Sequence, residues 1–339
     1  MTMTMALSRQ QQTHFLKEAA LRHGFMGAGI AKAEYMDQEA KHLEQWLSKD
    51  YHGEMGYMAN HFEMRVDPTK LVPGAKSVIS LLYNYYPGEG EAKAEAKELI
   101  THNSQLTSDA SRLTPHDSFK ISRYAYGEDY HKVIRRKLKA LVAELKKEIG
   151  DFNARVFVDS APVMERDWAK RSGQGWIGKN SLLIHPKKGS YFFLAEIILD
   201  VEFEYDHPMR DHCGTCTKCI DACPTEAISP EGYILDGSKC ISYLTIELKS
   251  QIPESFKGQM GGWIYGCDIC QEVCPWNRFS TPHQEPAFEM PAKLKEMKER
   301  DWIDITESIF DDLFLKSAVK RTGYLGLIRN IDFLSSVNQ

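Results

Sequence analysis

The sequence predicts a mixed α/β (α+β) chain with a cysteine-rich metal module toward its C-terminal end. Three observations lead there. Cys213, Cys216, Cys219 and Cys223, followed by Pro224, spell C-x2-C-x2-C-x3-C-P, the cysteine run of bacterial two-cluster ferredoxins. A second run, Cys267, Cys270 and Cys274 before Pro275, brings the chain to eight cysteines once Cys240 is counted, and two [4Fe–4S] clusters take eight thiolates. The long stretch ahead of the cysteines alternates helical and strand-like patterns, more chain than a bare ferredoxin carries. The division expected is an α/β catalytic domain over residues 1–205, a ferredoxin-like domain over 206–285 and a short helical tail over 286–339.

The elements follow in order. Residues 9–23 have helical spacing, with Phe15, Leu16, Ala19 and Ala20 on one face and Gly24 as the stop. Residues 38–49 read as a second helix with Leu43, Trp46 and Leu47 inward. KSVISLLYNYYP (76–87) is β-branched and aromatic, a buried strand. Residues 88–118 are acidic and then Ser/Thr-rich, a surface excursion. A strongly amphipathic helix covers 129–149, with Lys132, Arg135, Arg136, Lys137 and Lys139 in its basic first half. ARVFVD (154–159) is a strand, and 162–173 a helix opened by Pro162 and closed by Gly173. SLLIHP and SYFFLAEIILDVEF are two further strands before the cysteine module.

Composition limits the function classes. With 42% hydrophobic and 26% charged residues the chain is globular, and a net charge of −5 excludes a generally polyanion-binding surface while leaving room for local basic patches. No apolar run approaches the roughly 18–20 residues that span a membrane, and the start has no signal-peptide core. A cytoplasmic protein is expected, since that compartment suits reduced thiols and oxygen-sensitive clusters, and disulfides are not.

Aligning the second run on the first puts Cys267, Cys270 and Cys274 at its second, third and fourth positions and Ile264 at the first, where no thiolate stands. Cys240 is the free cysteine that can replace it. The fourth cysteine of each run ligates the other cluster in this pattern. One cluster is therefore expected on Cys213, Cys216, Cys219 and Cys274, the other on Cys223, Cys240, Cys267 and Cys270. Paired zinc sites are the competing assignment, but a zinc ribbon has no need of the x3-C-P ending.

Several segments together resemble one family, the epoxyqueuosine reductases: RVDPTKLVPGAKSVISL (65–81), KISRYAYGEDYH (120–131), VDSAPVMERDWAKRSGQGWIGKNSLLI (158–184), HCGTCTKCIDACPTEAI (212–228), CISYLTIE (240–247) and GCDICQEVCPWN (266–277). The resemblance runs from about residue 10 to 330, and it implies reduction of epoxyqueuosine to queuosine at the wobble position of tRNA. It implies cob(I)alamin as the reductant, two [4Fe–4S] clusters as the relay and an external low-potential electron donor. The chain is expected to act as a monomer away from membranes. A reductive dehalogenase is the nearest rival but typically carries a twin-arginine export signal; a non-catalytic electron-transfer subunit would leave the front domain unexplained.

Asp159 stands at the end of a strand, where functional residues of α/β folds gather, or else caps the helix after Pro162. The resemblance makes it the proton donor to the epoxide oxygen, and burial beside the corrin is then expected to raise its pKa. The glycines of GQGWIGKNS (173–181) either form a tight loop or let backbone approach a large planar ligand. By resemblance Trp176, Gly178, Lys179 and Asn180 of that loop line the cobalamin pocket with Arg65, Ser122, Tyr124, Asp159 and Ser160, and Ser242, Thr245 and Glu247 close it from the cluster side. No D-x-H-x-x-G motif is present, so no histidine is expected on cobalt. The basic residues of 132–139 with Arg166, Arg171, Lys316, Lys320, Arg321 and Arg329 are either a phosphate-binding rim for tRNA or a solvated face.

Overall fold

The computed structural model describes residues 7–88 and 119–336; all but the first residue of the expected 88–118 excursion lie outside them. Four strands form the central sheet in the order Gly27–Lys32, Ser77–Asn84, Phe192–Leu199, Ala154–Phe157, each antiparallel to its neighbour. Antiparallel pairing makes the domain α+β within the expected class. Alternate side chains face opposite sides of a strand. Ile79, Leu81 and Tyr83, with Phe193, Ala195, Ile197 and Leu199, meet Leu16, Ala19 and Ala20 of helix Arg9–Arg22 and Val133, Ile134, Leu138, Leu141 and Leu145 of helix Tyr130–Ile149. Val78 and Ile198 face the other way, onto Met36, Val66, Leu71, Val163 and Trp168. With both faces covered, the two central strands are apolar almost throughout. Away from the strand ends, Glu196 and Ser80 are the exceptions: they are register partners, both completely buried.

Local chemistry sets the helix ends. Ser8 and Gln11 form a capping box on Arg9–Arg22. The Asp129 carboxylate accepts the His131 N–H to cap Tyr130–Ile149, and Gly150, at φ 95°, ends it. That cap puts Tyr130 and His131 in the first turn, beside the end of strand Ala154–Phe157. The helix expected from Pro162 begins later, at Glu165, and runs to Arg171. The preceding residues form a loop in which Asp159 is left-handed, at φ 55°.

The cysteine region is stitched to both of its flanks. Lys120–Ile121 runs parallel to Trp263–Tyr265. The short helices Lys218–Asp221 and Ile269–Glu272, which carry Cys219 and Cys270, pack together. The tail helices contribute Trp302, Phe310, Phe314, Leu327 and Ile331 to a core that also holds Ile121, Ile264 and Tyr265. Asn330 is buried there, and its Nδ2 donates to the carbonyls of Thr245 and Ile264 at 2.8 Å each. Asn330→Ala strands two buried acceptors, so a loss of about 1–3 kcal/mol of stability is expected, read as a lower denaturant midpoint at unchanged m.

Candidate active site

None of the eight cysteines is in a disulfide. Burial first, and then the neighbouring Cys274, Cys213 and Cys216, push Cys219 up to about 11. Cys274 in turn neighbours Cys213 and Cys216. Cys267 lies by Cys270 and Cys240, and Cys270 lies by Cys240 and Cys223, with Cys219 farther down its order of neighbours. These neighbourhoods suit the crossed assignment, in which each set of four takes one member from the other run. Among the described residues no three His, Cys, Asp or Glu side chains converge on a single-ion site. The donor set suits the soft iron of two clusters: thiolate ligands in fours, on adjacent short helices and turns.

The 173–181 loop grips these cysteine turns. Trp176 is buried and donates through Nε1 to Cys213 Sγ at 3.5 Å. Lys179 Nζ donates to the carbonyls of Gly214 at 2.8 Å and Cys216 at 3.0 Å, and Asn180 Nδ2 to that of Cys270 at 3.2 Å. One loop therefore fixes turns from both runs. Its glycines serve the chain's own packing. A Cβ on Gly175 would sit 2.3 Å from the Ile184 carbonyl oxygen, and one on Gly178 would sit 2.5 Å from Ile184 Cδ1. Close approach is required, as the spacing suggested, but here it is to the facing strand of the small Trp176–Ile177/Leu183–Ile184 hairpin.

Asp159 is exposed, with 57% of its side chain accessible. Its Oδ2 accepts from Tyr130 Oη at 2.6 Å and from His131 Nε2 at 3.2 Å. Its own N–H donates to Glu165 Oε1 at 2.5 Å. It caps no helix: the residue before Glu165, Met164, makes no side-chain cap either. The rise expected for Asp159 rests on burial beside the corrin; the chain's own groups act in the opposite direction. Desolvation does push Asp159 up, but the hydrogen bonds from His131 and Tyr130 and the charges of His131 and Arg321 outweigh it and hold the carboxyl below its ordinary value. Burial draws His131 down, but its bonds to Asp129 and Asp159 win and push it up to about 9. At neutral pH the pair is an imidazolium against a carboxylate, with one proton between them. Behind them, burial and the charge of Asp159 push Glu165 up to about 8.

An aromatic path leads from this centre toward the cysteines. Tyr130 packs edge-on against Tyr124 with ring centroids 6.0 Å apart, and Tyr124 lies 6.1 Å from Tyr265, two residues before Cys267. Ser122 Oγ donates to Asp268 Oδ1 at 2.5 Å, and Arg123 bridges Asp268 and Glu272, so the 122–124 turn is bolted to the second cysteine run. Thr245 is also structural: its Oγ1 donates to the Ile241 carbonyl and accepts from Gly266 N–H. Burial draws Arg65 down; its guanidinium holds the carbonyls of Tyr57 and Asn60. Ser160 is exposed beside Asp159 and receives Arg135 Nη2 at 3.3 Å. Ser242 flanks Cys240. Glu247 takes a two-pronged bond from Arg321 at 2.6 and 3.1 Å, and the Arg321 guanidinium lies 5.9 Å over the Tyr57 ring.

The basic rim is smaller than expected. Arg171 pairs with Glu39 and Glu34, Arg166 donates to the Ser181 carbonyl, and Arg329 donates to the carbonyls of Leu244, Leu248 and Ser250. Lys320 pairs with Asp311, and Lys316 with Glu128. These cations are held by the fold itself. Lys132, Arg136 and Lys139 are exposed, without an ion pair among the described residues, on the helix that supplies Tyr130 and His131. Of the residues that matter here, the sequence did not single out Tyr130, His131 or Glu196. The first two stood in a quoted segment. The third was visible as the one acidic residue in FFLAEIIL, an otherwise apolar strand.

Eight thiols in ferredoxin-like spacing and an exposed carboxylate hydrogen-bonded by Tyr130 and His131 suit an iron–sulfur oxidoreductase. A 4Fe-4S double cluster binding domain matches residues 212–277, and the domain of epoxyqueuosine reductase QueG matches residues 65–160. The chain is 51% identical over 327 residues to the epoxyqueuosine reductase of Cellulophaga algicola (96% of this chain, 99% of the relative). It is 40% identical over 322 residues to that of Vibrio cholerae (95% and 82%). Among solved structures, an epoxyqueuosine reductase with a tRNA-Tyr epoxyqueuosine-modified stem loop superposes with a TM-score of 0.82 at 32% identity, over 97% of this chain and 82% of that one. The Bacillus subtilis enzyme, with its catalytic aspartate loop swung out of the active site, gives a TM-score of 0.82 at 31% identity, over 97% and 82%. The chain belongs to the epoxyqueuosine reductase family.

Proposed function

We propose that this chain reduces epoxyqueuosine to queuosine in tRNA, with Asp159 as the proton donor to the departing epoxide oxygen. The observation that carries the assignment of Asp159 is its exposure while Tyr130 and His131 hold hydrogen bonds to the same carboxylate oxygen. Converting an epoxide to an alkene with loss of water takes two electrons and two protons. Asp159 is the member of the pair that can meet a substrate oxygen, and His131 is the member that restores its proton. Cys213, Cys216, Cys219 and Cys274 would hold one cluster, and Cys223, Cys240, Cys267 and Cys270 the other. Tyr124, Asp159, Ser160 and Glu247 would hold cobalamin, with Arg65, Ser122 and Thr245 bracing the elements that carry them. The bound cofactors supply the hard chemistry, two-electron reduction at the substrate carbon from electrons delivered singly. The electrons come from an external low-potential donor, since the reaction itself releases none. Among the described residues no helix is long and apolar enough to cross a membrane, which suits work on tRNA in the cytoplasm.

The test is anaerobic conversion of an epoxyqueuosine-bearing anticodon stem-loop, compared with the free nucleoside. The nucleoside is expected to be much the poorer substrate, because binding energy from the rest of the RNA is lost. Equal kcat/KM for both would replace the tRNA reading with a small-molecule reductase. Stem-loop affinity is expected to fall steeply with salt. Replacing Lys132, Arg136 and Lys139 together by glutamine should flatten the log–log slope by about 2–3, by counterion release.

A further inference from the structure

Glu196 sits in the middle of strand Phe192–Leu199 with no exposed surface, and neither of its carboxyl oxygens has a hydrogen-bond donor. Its register partner Ser80 is likewise buried with an unpartnered hydroxyl. The neighbour within reach is the carboxyl of Glu165, at the start of helix Glu165–Arg171. Two ionised carboxylates cannot bond each other; only a proton held between them joins the pair. Glu165 also accepts the Asp159 N–H at 2.5 Å, and Asp159 is in the left-handed region at φ 55°, a conformation that disfavours residues with a side chain. A proton held between the two carboxyls would tie the loop carrying the acid to the central sheet.

We propose that Glu165 and Glu196 form a proton-sharing latch that holds the Asp159 loop in its working conformation, with Glu165 as a positioning residue for the reaction. This rests on the reading of Asp159 as the acid. With one proton on the pair, Glu165 is bonded to Glu196 on one side and to the Asp159 backbone on the other. With that proton gone, two adjacent buried charges repel, Glu165 is driven off Glu196, and the loop loses its anchor. The groups facing the pair are Asp159 on the loop and His131 and Tyr130 on helix Tyr130–Ile149. Arg321, from the tail, acts on Asp159. Burial and the mutual charge of the carboxyls favour the protonated latch at neutral pH, with Glu165 pushed up to about 8 and Glu196 pushed up as well.

The test is hydrogen exchange of the 158–164 segment in anaerobic holoenzyme, corrected for the intrinsic pH dependence of exchange. In the native protein, protection is expected to fall at least several-fold between about pH 6.5 and 9.5, across the loss of the shared proton. Glu196→Gln supplies a permanent N–H donor to Glu165 and should keep the segment protected over the whole range, while leaving the His131 titration in place. Should that variant not fold, Glu165→Gln serves the same purpose, since it can accept from Asp159 and donate to Glu196. Glu165→Ala removes the acceptor. It should lose protection at every pH and lower the single-turnover rate about tenfold or more, with stem-loop affinity unchanged; Glu165→Gln should restore the rate. Native protection in Glu165→Ala would overturn the latch. An unaltered pH dependence in the glutamine variants would overturn the shared proton. Asp159→Asn retains the backbone N–H, so its segment stays protected even if Asp159 is not the acid, which separates failure of the latch from failure of the catalytic reading.

Discussion

Asp159→Asn is expected to lower the single-turnover rate of queuosine formation about 100-fold or more, the lower end of what a general acid contributes. The variant keeps the size of the side chain, the N–H to Glu165 and the bond from Tyr130, so folding, cofactor content and stem-loop binding should be unchanged. It cannot carry a carboxyl proton. Chemically reduced enzyme removes electron delivery from the comparison. The low pKa of Asp159 does not conflict with an acid role. The proton lost from the carboxyl stays 3.2 Å away on His131, where bonds to Asp129 and Asp159 push the imidazole up to about 9. The native rate should therefore hold through neutral pH and fall as pH rises through about 8 to 9, first as the Glu165–Glu196 pair gives up its proton and then as His131 loses its charge. A native rate in Asp159→Asn would leave the carboxylate a structural partner of His131.

How much of this was legible in the sequence depended on how local each cause is. The double-cluster module was legible because ligand spacing is a local property, and a register slip that leaves Ile264 at a thiolate position is visible in the string. The central strands were legible from their apolar runs, although their antiparallel order was not, since pairing joins residues more than a hundred positions apart, as in Ser77 and Leu199. The direction of the Asp159 pKa was illegible for the same reason. Burial, the one influence a sequence suggests, is outweighed by Tyr130 and His131, which reach Asp159 from another element. The basic residues looked alike as letters, and their partners separate them. Arg329 is spent on backbone carbonyls, while Lys132, Arg136 and Lys139 are left for solvent or a ligand. The glycines at 175 and 178 showed a need for close approach without revealing what approaches.

Cys274→Ala and Cys240→Ala are each expected to lose one cluster, about four of about eight irons, and to abolish turnover driven by an external donor. The crossed assignment says which cluster each one takes. Cys274 neighbours Cys213 and Cys216 although it belongs to the later run, and Cys240 neighbours Cys223 although it belongs to neither. Pairing each variant with a second cysteine change makes this decisive, because two changes at one cluster cannot remove it twice. Cys216→Ala with Cys274→Ala should retain about four irons and one electron-paramagnetic signal, the one also retained by each single variant. Cys216→Ala with Cys240→Ala should retain almost none. An uncrossed arrangement predicts the reverse for Cys274: combined with Cys216→Ala it would strip both clusters, and combined with Cys267→Ala only one. Iron counts on those double variants therefore separate the two arrangements without any measurement of activity. If Cys240→Ala alone kept all eight irons and both signals, the eighth ligand would have to be something other than a cysteine thiolate, since the chain has no other cysteine to offer.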